Sequence, residues 1–162
     1  MASSTEAKAA PLRFAILGTG FWARYQLAAW RELAGVDCIA LYNRTRSKAQ
    51  DLGRAFGITH IYDDLDELFA EQALDFVDII TSVETHAPLV KRAALAGIPV
   101  ICQKPMAVNL AEAQAMAAAC QAADVPLYIH ENWRWQYPIR CLQERLGQGQ
   151  IGTPFRAHIR YC

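Results

Sequence analysis

Residues 13–23, RFAILGTGFWA, constrain the fold more than any other part of the chain, because a short apolar run leads directly into two glycines. A buried strand that must bend sharply and restart as a helix needs a residue without a side chain at the bend. Gly18 fits the bend, Gly20 lets the backbone approach an anion without a clashing Cβ, and Ala23 is small enough for helix and strand to pack closely. A helix opening near Phe21 then directs its free N–H groups into the same space. The spacing predicts a phosphate-binding turn of the dinucleotide type, lined by Gly18, Thr19, Gly20, Phe21 and Trp22.

The rest of the chain supplies the matching context. Short apolar runs at 13–17, 37–42, 76–81, 99–102 and 127–130, with a weaker one at 60–62, alternate with segments of helical periodicity at 47–56, 65–71, 87–96 and 110–122. That alternation predicts an α/β fold, a doubly wound parallel sheet covered by helices on both faces. Gly57 and Gly97 stand where helices should stop, and Asn109 followed by Glu112 resembles a capping box.

A length of 162 residues suits one domain with a substantial core. We expect the first ten residues to be a disordered tail and 11–146 to form the dinucleotide-binding domain. A helix is expected at 137–146, and 147–154 is rich in turn residues. Beyond it Phe155, Ala157, Ile159 and Tyr161 alternate with Arg156, His158 and Arg160, the pattern of a strand with one buried and one wet face. Residues 147–162 therefore read as the start of a truncated second domain of α+β type, entered by a single strand. An apolar face left uncovered there, together with the region of Trp133 and Trp135, predicts a homo-oligomer.

A formal net charge of zero gives no basic footprint for nucleic acid and none for a membrane surface. No apolar run is long enough to span a bilayer, and the first ten residues lack the apolar centre of a signal peptide. The five cysteines are scattered, odd in number and without metal-ligand spacing, which suits free thiols in a reducing cytoplasm. His60 and His158 belong to no constellation, and no metal site is expected.

Cofactor choice turns on the residues after the second strand, Tyr42-Asn43-Arg44-Thr45-Arg46. An NAD-binding unit usually places an acid there to hold the ribose 2′-hydroxyl, about twenty residues beyond the glycine turn. This chain has none. Asn43, Arg44 and Thr45 instead offer donors, and Arg44 can pair with a 2′-phosphate, so NADP is expected and NAD remains possible.

Further polar clusters close the later strands, where ligands bind in open parallel sheets: Thr81-Ser82-Val83-Glu84-Thr85-His86, Gln103-Lys104-Pro105 and His130-Glu131-Asn132-Trp133-Arg134. Together with the glycine turn, the stretch VDIITSVETHAPLVKRAALAGIPVICQKP and the later GQIGTPFRAHIRY resemble the Gfo/Idh/MocA oxidoreductases over nearly the whole chain. The resemblance implies a Rossmann cofactor domain and hydride transfer between a nicotinamide and a carbinol carbon of a small sugar or polyol. It implies that Lys104 is catalytic, beside the nicotinamide and the reacting oxygen, where an ammonium stabilises alkoxide charge or relays a proton. Gln103 stands where the family has glutamate, and a cis bond before Pro105 is compatible with the turn. Thr81, Ser82, His86, Gln103, Asn132 and Arg134 join the cofactor-binding set on the same basis. His86 has a second reading, as a helix-start residue packed under the nicotinamide loop. Trp133 and Trp135 read as packing residues. Family members carry a second domain that completes the substrate site, so substrate turnover is expected only when such a domain is supplied. The other classes are a non-catalytic NADP-binding or partner-docking module and a methyltransferase-like fold, in which Lys104-Pro105 has no role.

Overall fold

The computed structural model describes residues 10–160, so the disordered tail expected for residues 1–10 lies almost wholly outside the described residues. The chain divides into two compact units, Met1–His130 and Glu131–Cys162, a division that falls earlier than the 146/147 boundary read from the sequence.

In the first unit six strands, β1 (Leu12–Leu17), β2 (Val36–Tyr42), β3 (His60–Tyr62), β4 (Phe76–Ile79), β5 (Val100–Gln103) and β6 (Leu127–His130), form one sheet. All neighbours are parallel, in the order β3-β2-β1-β4-β5-β6. The order reverses beside β1, which leaves a crevice between the loops that follow β1 and β4. Five helices make the crossovers: α1 (Phe21–Trp30), α2 (Arg46–Phe56), α3 (Leu65–Glu71), α4 (His86–Leu95) and α5 (Leu110–Ala122).

Strand side chains alternate between two separate cores. Phe14 and Ile16 of β1 and Phe76 of β4 pack under Ala23 and Leu27 of α1 and Ala49 and Leu52 of α2. Ala15, Leu17, Val77 and Ile79 face the opposite way, against α3, α4 and α5 through Leu68, Val90 and Met116. Burial on both faces is why these strands read as continuous apolar runs. Asp78 is the exception, a carboxylate with no exposed surface in the middle of β4.

The helix ends follow their sequence signals. Gly57 takes a left-handed conformation at φ 69° after α2. Asn109 accepts a hydrogen bond from Glu112 N at 2.9 Å to start α5, and Asp64 accepts from Asp66 N and Glu67 N to start α3. The fourth strand stops at Ile79 rather than at the expected Thr81, although Ile80 N still reaches Leu17 O at 2.8 Å; the chain then turns away.

The second unit contains a short 3-10 turn, Trp133–Trp135, and helix α6 (Tyr137–Gly147). Of the strand expected at 155–161, residues 155–160 carry no regular secondary structure, and Tyr161 lies outside the described residues. A strand exists only through its ladder bonds, and no neighbour within the described residues supplies them. Phe155 and Ile159 are consequently 98% and 91% exposed.

Candidate cofactor site

The glycine turn is built against the neighbouring strand end. Gly18 has φ 101°, and a Cβ there would lie 2.5 Å from Ile80 O and 2.6 Å from Thr81 Cγ2. Only glycine satisfies both the backbone angle and the contact. Gly18 N also donates to Tyr42 O at 2.8 Å, which ties the turn to the end of β2. Gly20 differs: nothing lies within 4 Å of where its Cβ would be. It sits at the N-cap of α1 with no side-chain cap, so the first N–H groups of the helix open onto free space. Open space in front of a helix N-terminus is an anion seat.

The loop after β2 closes the second side. Asn43 Nδ2 donates to Thr19 Oγ1 at 2.6 Å, and Asn43 Oδ1 accepts from Thr45 N at 3.1 Å. Asn43 therefore holds the two loops in register. Arg44 is exposed, makes no hydrogen bond or ion pair with the described residues, and lines the same cavity as Gly18 and Gly20. No carboxylate lines that cavity.

The loop after β4 closes the third side. Thr85 Oγ1 donates within a small hydroxyl cluster, 2.8 Å from both Thr81 Oγ1 and Ser82 O. The resulting cavity, of about 300 Å³, is lined by Gly18, Thr19, Asn43, Arg44, Thr81 and Ser82 among others. Pro88 and Leu89, on the first turn of α4, also line it. Sequence reasoning missed them, because apolar residues on a helix facing a core give no signal of a cavity. Phe21, with Arg24 and Tyr25, borders a second hollow that Thr19 and Gly20 also line. Trp22 is exposed and packs edge-on against Phe21, with 5.2 Å between ring centroids.

His86 is 1% exposed. Its Nδ1 lies 3.0 Å from Pro105 O and its Nε2 3.2 Å from Thr81 O. Both ring nitrogens face backbone carbonyls, so the ring has no edge left for a ligand. Of the two readings, packing under the loops is the one the geometry supports, and His86 ties the loop after β4 to the loop after β5. That second loop contains the cis Lys104–Pro105 bond. Lys104 is exposed, and its ammonium makes no hydrogen bond or ion pair with the described residues. Gln103 is half-buried; its Oε1 accepts from Lys104 N at 2.9 Å and its Nε2 donates to Gln26 Oε1 at 3.2 Å. Asn132 and Arg134 belong to the second unit, at the 3-10 turn, where the Arg134 guanidinium lies 5.1 Å from the Trp135 ring centroid.

The described cysteines are all free thiols. Burial pushes the Cys38 and Cys102 thiols up to about 12, so both are neutral and unreactive at physiological pH. No group of three or more His, Cys, Asp or Glu side chains is placed to hold a metal among the described residues, and no described helix is long and apolar enough to cross a membrane.

A doubly wound parallel sheet whose first turn is a glycine cradle at a helix N-terminus, in the crevice beside the first strand, defines a dinucleotide-binding domain. The chain belongs to the Gfo/Idh/MocA family: residues 12–131 match its oxidoreductase family, NAD-binding Rossmann fold. It is 42% identical over 159 residues to a D-apiose dehydrogenase of Paraburkholderia graminis, an alignment covering 98% of this chain and 42% of that protein. A D-apiose dehydrogenase of Rhizobium rhizogenes is 44% identical over 89% of this chain and 42% of its own length. An oxidoreductase from Agrobacterium radiobacter, solved with NAD+, L-tartaric acid and magnesium, superposes with a TM-score of 0.86 at 44% identity, covering 89% of this chain and 42% of that one. The chain thus spans less than half the length of the relatives it matches.

Proposed function

We propose that the chain is the cofactor-binding part of an NAD(P)-dependent dehydrogenase acting on a sugar or polyol carbinol. The observation that carries the reading is the cavity in front of Gly20, walled by the loops after β1, β2 and β4. Its residues fit a dinucleotide: the α1 N-terminus and Gly20 take the pyrophosphate, and Gly18 keeps the turn tight enough for that approach. When bound, the nicotinamide supplies the hydride-exchanging carbon.

The protein's own groups then bind and orient. Thr81 and Ser82 present hydroxyls at the cavity wall, and His86 fixes the carbonyl of Thr81 and the loop of Lys104 relative to each other. The Lys104 ammonium, exposed and without a partner among the described residues, stabilises charge on a reacting oxygen or passes it a proton. The sugar class follows the names of the D-apiose dehydrogenases. The free thiols suit a cytoplasmic site, and the exposed Phe155 and Ile159 suit homo-oligomeric assembly.

Cofactor preference rests on Arg44. A guanidinium at the cavity wall, with no acid among the residues lining that cavity, favours the 2′-phosphate of NADP, while the related structure holding NAD+ indicates that such a turn accepts the unphosphorylated form in that protein. Titration of the chain with NADPH and NADH by tryptophan quenching or calorimetry tests this. NADPH should bind more tightly, and Arg44→Ala should weaken it by about 1 to 3 kcal/mol, roughly five- to 150-fold, with a smaller effect on NADH. Equal affinities, insensitive to Arg44→Ala, would remove the NADP assignment; no binding of either would remove the cofactor reading.

A further inference from the structure

A polar chain runs beneath α1, from the middle of β4 to the backbone of Lys104. At one end the Trp30 indole Nε1–H donates to Asp78 Oδ2 at 2.7 Å, and Gln26 Nε2 donates to the same oxygen at 2.7 Å. Gln26 Oε1 accepts from Gln103 Nε2 at 3.2 Å, and Gln103 Oε1 accepts from Lys104 N at 2.9 Å. With the Asp78 carboxylate ionised, the two ends admit one polarity only. An indole and a backbone N–H can only donate, so Asp78 Oδ2 and Gln103 Oε1 are acceptors. Gln26 must therefore turn its NH₂ to Asp78 and its carbonyl oxygen to residue 103, which in turn must supply a donor.

We infer that Gln26, with Asp78 as its anchor, is a positioning residue for the Lys104 loop, and that it is the reason residue 103 is an amide here rather than a carboxylate. A glutamate at 103 would still accept from Lys104 N, but its other oxygen would face Gln26 Oε1, acceptor against acceptor. Flipping Gln26 to relieve this would set its oxygen against the ionised Asp78 carboxylate, a clash that only protonation of Asp78 would remove. Because Asp78 is buried on β4 and fixed by Trp30, it does not yield. The glutamine at 103 and the aspartate at 78 thus form one choice made across the sheet. The bearing of this chain on catalysis rests on the proposed role of Lys104; the hydrogen-bond polarity does not.

The test uses the ligand-free chain, labelled with ¹⁵N, so that it stands apart from cofactor binding. Gln26→Met keeps the bulk, leaves Asp78, Gln103 and Lys104 untouched, and removes the two-way amide. Exchange of the Lys104 backbone amide should accelerate about three- to tenfold, the equivalent of one hydrogen bond. Gln103→Glu should lower the melting temperature and shift the Gln26 side-chain amide resonances. Adding Gln26→Lys, whose ammonium can donate both to Asp78 and to the new carboxylate, should recover at least half of that loss and should help less in the wild-type background. The inference is overturned if Lys104 exchange in Gln26→Met stays within twofold of wild type. It is equally overturned if Gln103→Glu is as stable as wild type, or if Gln26→Lys has the same effect in both backgrounds. Failure of NADPH and NADH titrations with these outcomes intact would strike the proposed function and leave the positioning chain standing.

Discussion

Asp78 carries the least expected chemistry of the chain. Burial raises its pKa above the ordinary 3.8, against the opposing pull of hydrogen bonds from Trp30 and Gln26 and the nearby charge of His130. Its Oδ1 and the Nδ1 of His130 are buried without a hydrogen-bond partner among the described residues. A carboxyl that holds its proton more tightly folded than unfolded supports the fold fully below 3.8 and loses that support as pH rises through the native value. Asp78→Asn keeps an oxygen for Trp30 and Gln26 and removes the titration. The melting temperature of the variant relative to wild type should therefore be flat below about pH 4 and rise in the variant's favour above it. A difference that stays constant from pH 4 to 8 would show that Asp78 titrates as an ordinary carboxylate.

At the level of elements, local signals were strong where the physics is local. The cap of α5 is an example: Asn109 Oδ1 meets Glu112 N three residues on, as the sequence pattern predicts. Asn109→Ala should cost about 0.5 to 2 kcal/mol, seen as a drop of a few degrees in the thermal midpoint, and Asn109→Ser should recover most of it. The strands and their parallel pairing are equally readable, because apolar runs at strand length alternate with helices; the order of the strands in the sheet is not read from that pattern. The glycine turn was legible from three residues. What escaped was what depends on distant pairing. Asp78 reads as one polar residue in an apolar run, and nothing in the sequence joins it to Gln26, 52 positions away, or Gln26 to Gln103, 77 positions away. The sequence leaves both readings of His86 open for the same reason, since the carbonyl of Pro105 beside its ring lies 19 positions on. The alternation from Phe155 to His158 and on to Arg160 is clear in the sequence, yet a strand needs a pairing neighbour, and none is present among the described residues.

For the whole molecule, the first unit closes two cores yet leaves Phe21, Trp22, Leu95 and Leu110 exposed, while the second has no buried residue in its helix and carries Trp135, Tyr137, Ile151, Phe155 and Ile159 exposed. Apolar surface of that extent drives association. The chain should show concentration-dependent growth in light scattering, and the double substitution Phe155→Ser and Ile159→Ser should reduce it without moving the thermal midpoint of the first unit. Scattering independent of concentration would remove the association, and growth unchanged by the double substitution would place it away from Phe155 and Ile159.

Gly18 lies against Ile80 as a keystone lies against its neighbours, at a separation that a single methyl group would overrun. A seat wedged in this way has no slack with which to adapt to its guest. Recognition there is a matter of presenting the right shape to a finished mould, and the cost of ordering the turn has been met by folding before any ligand arrives.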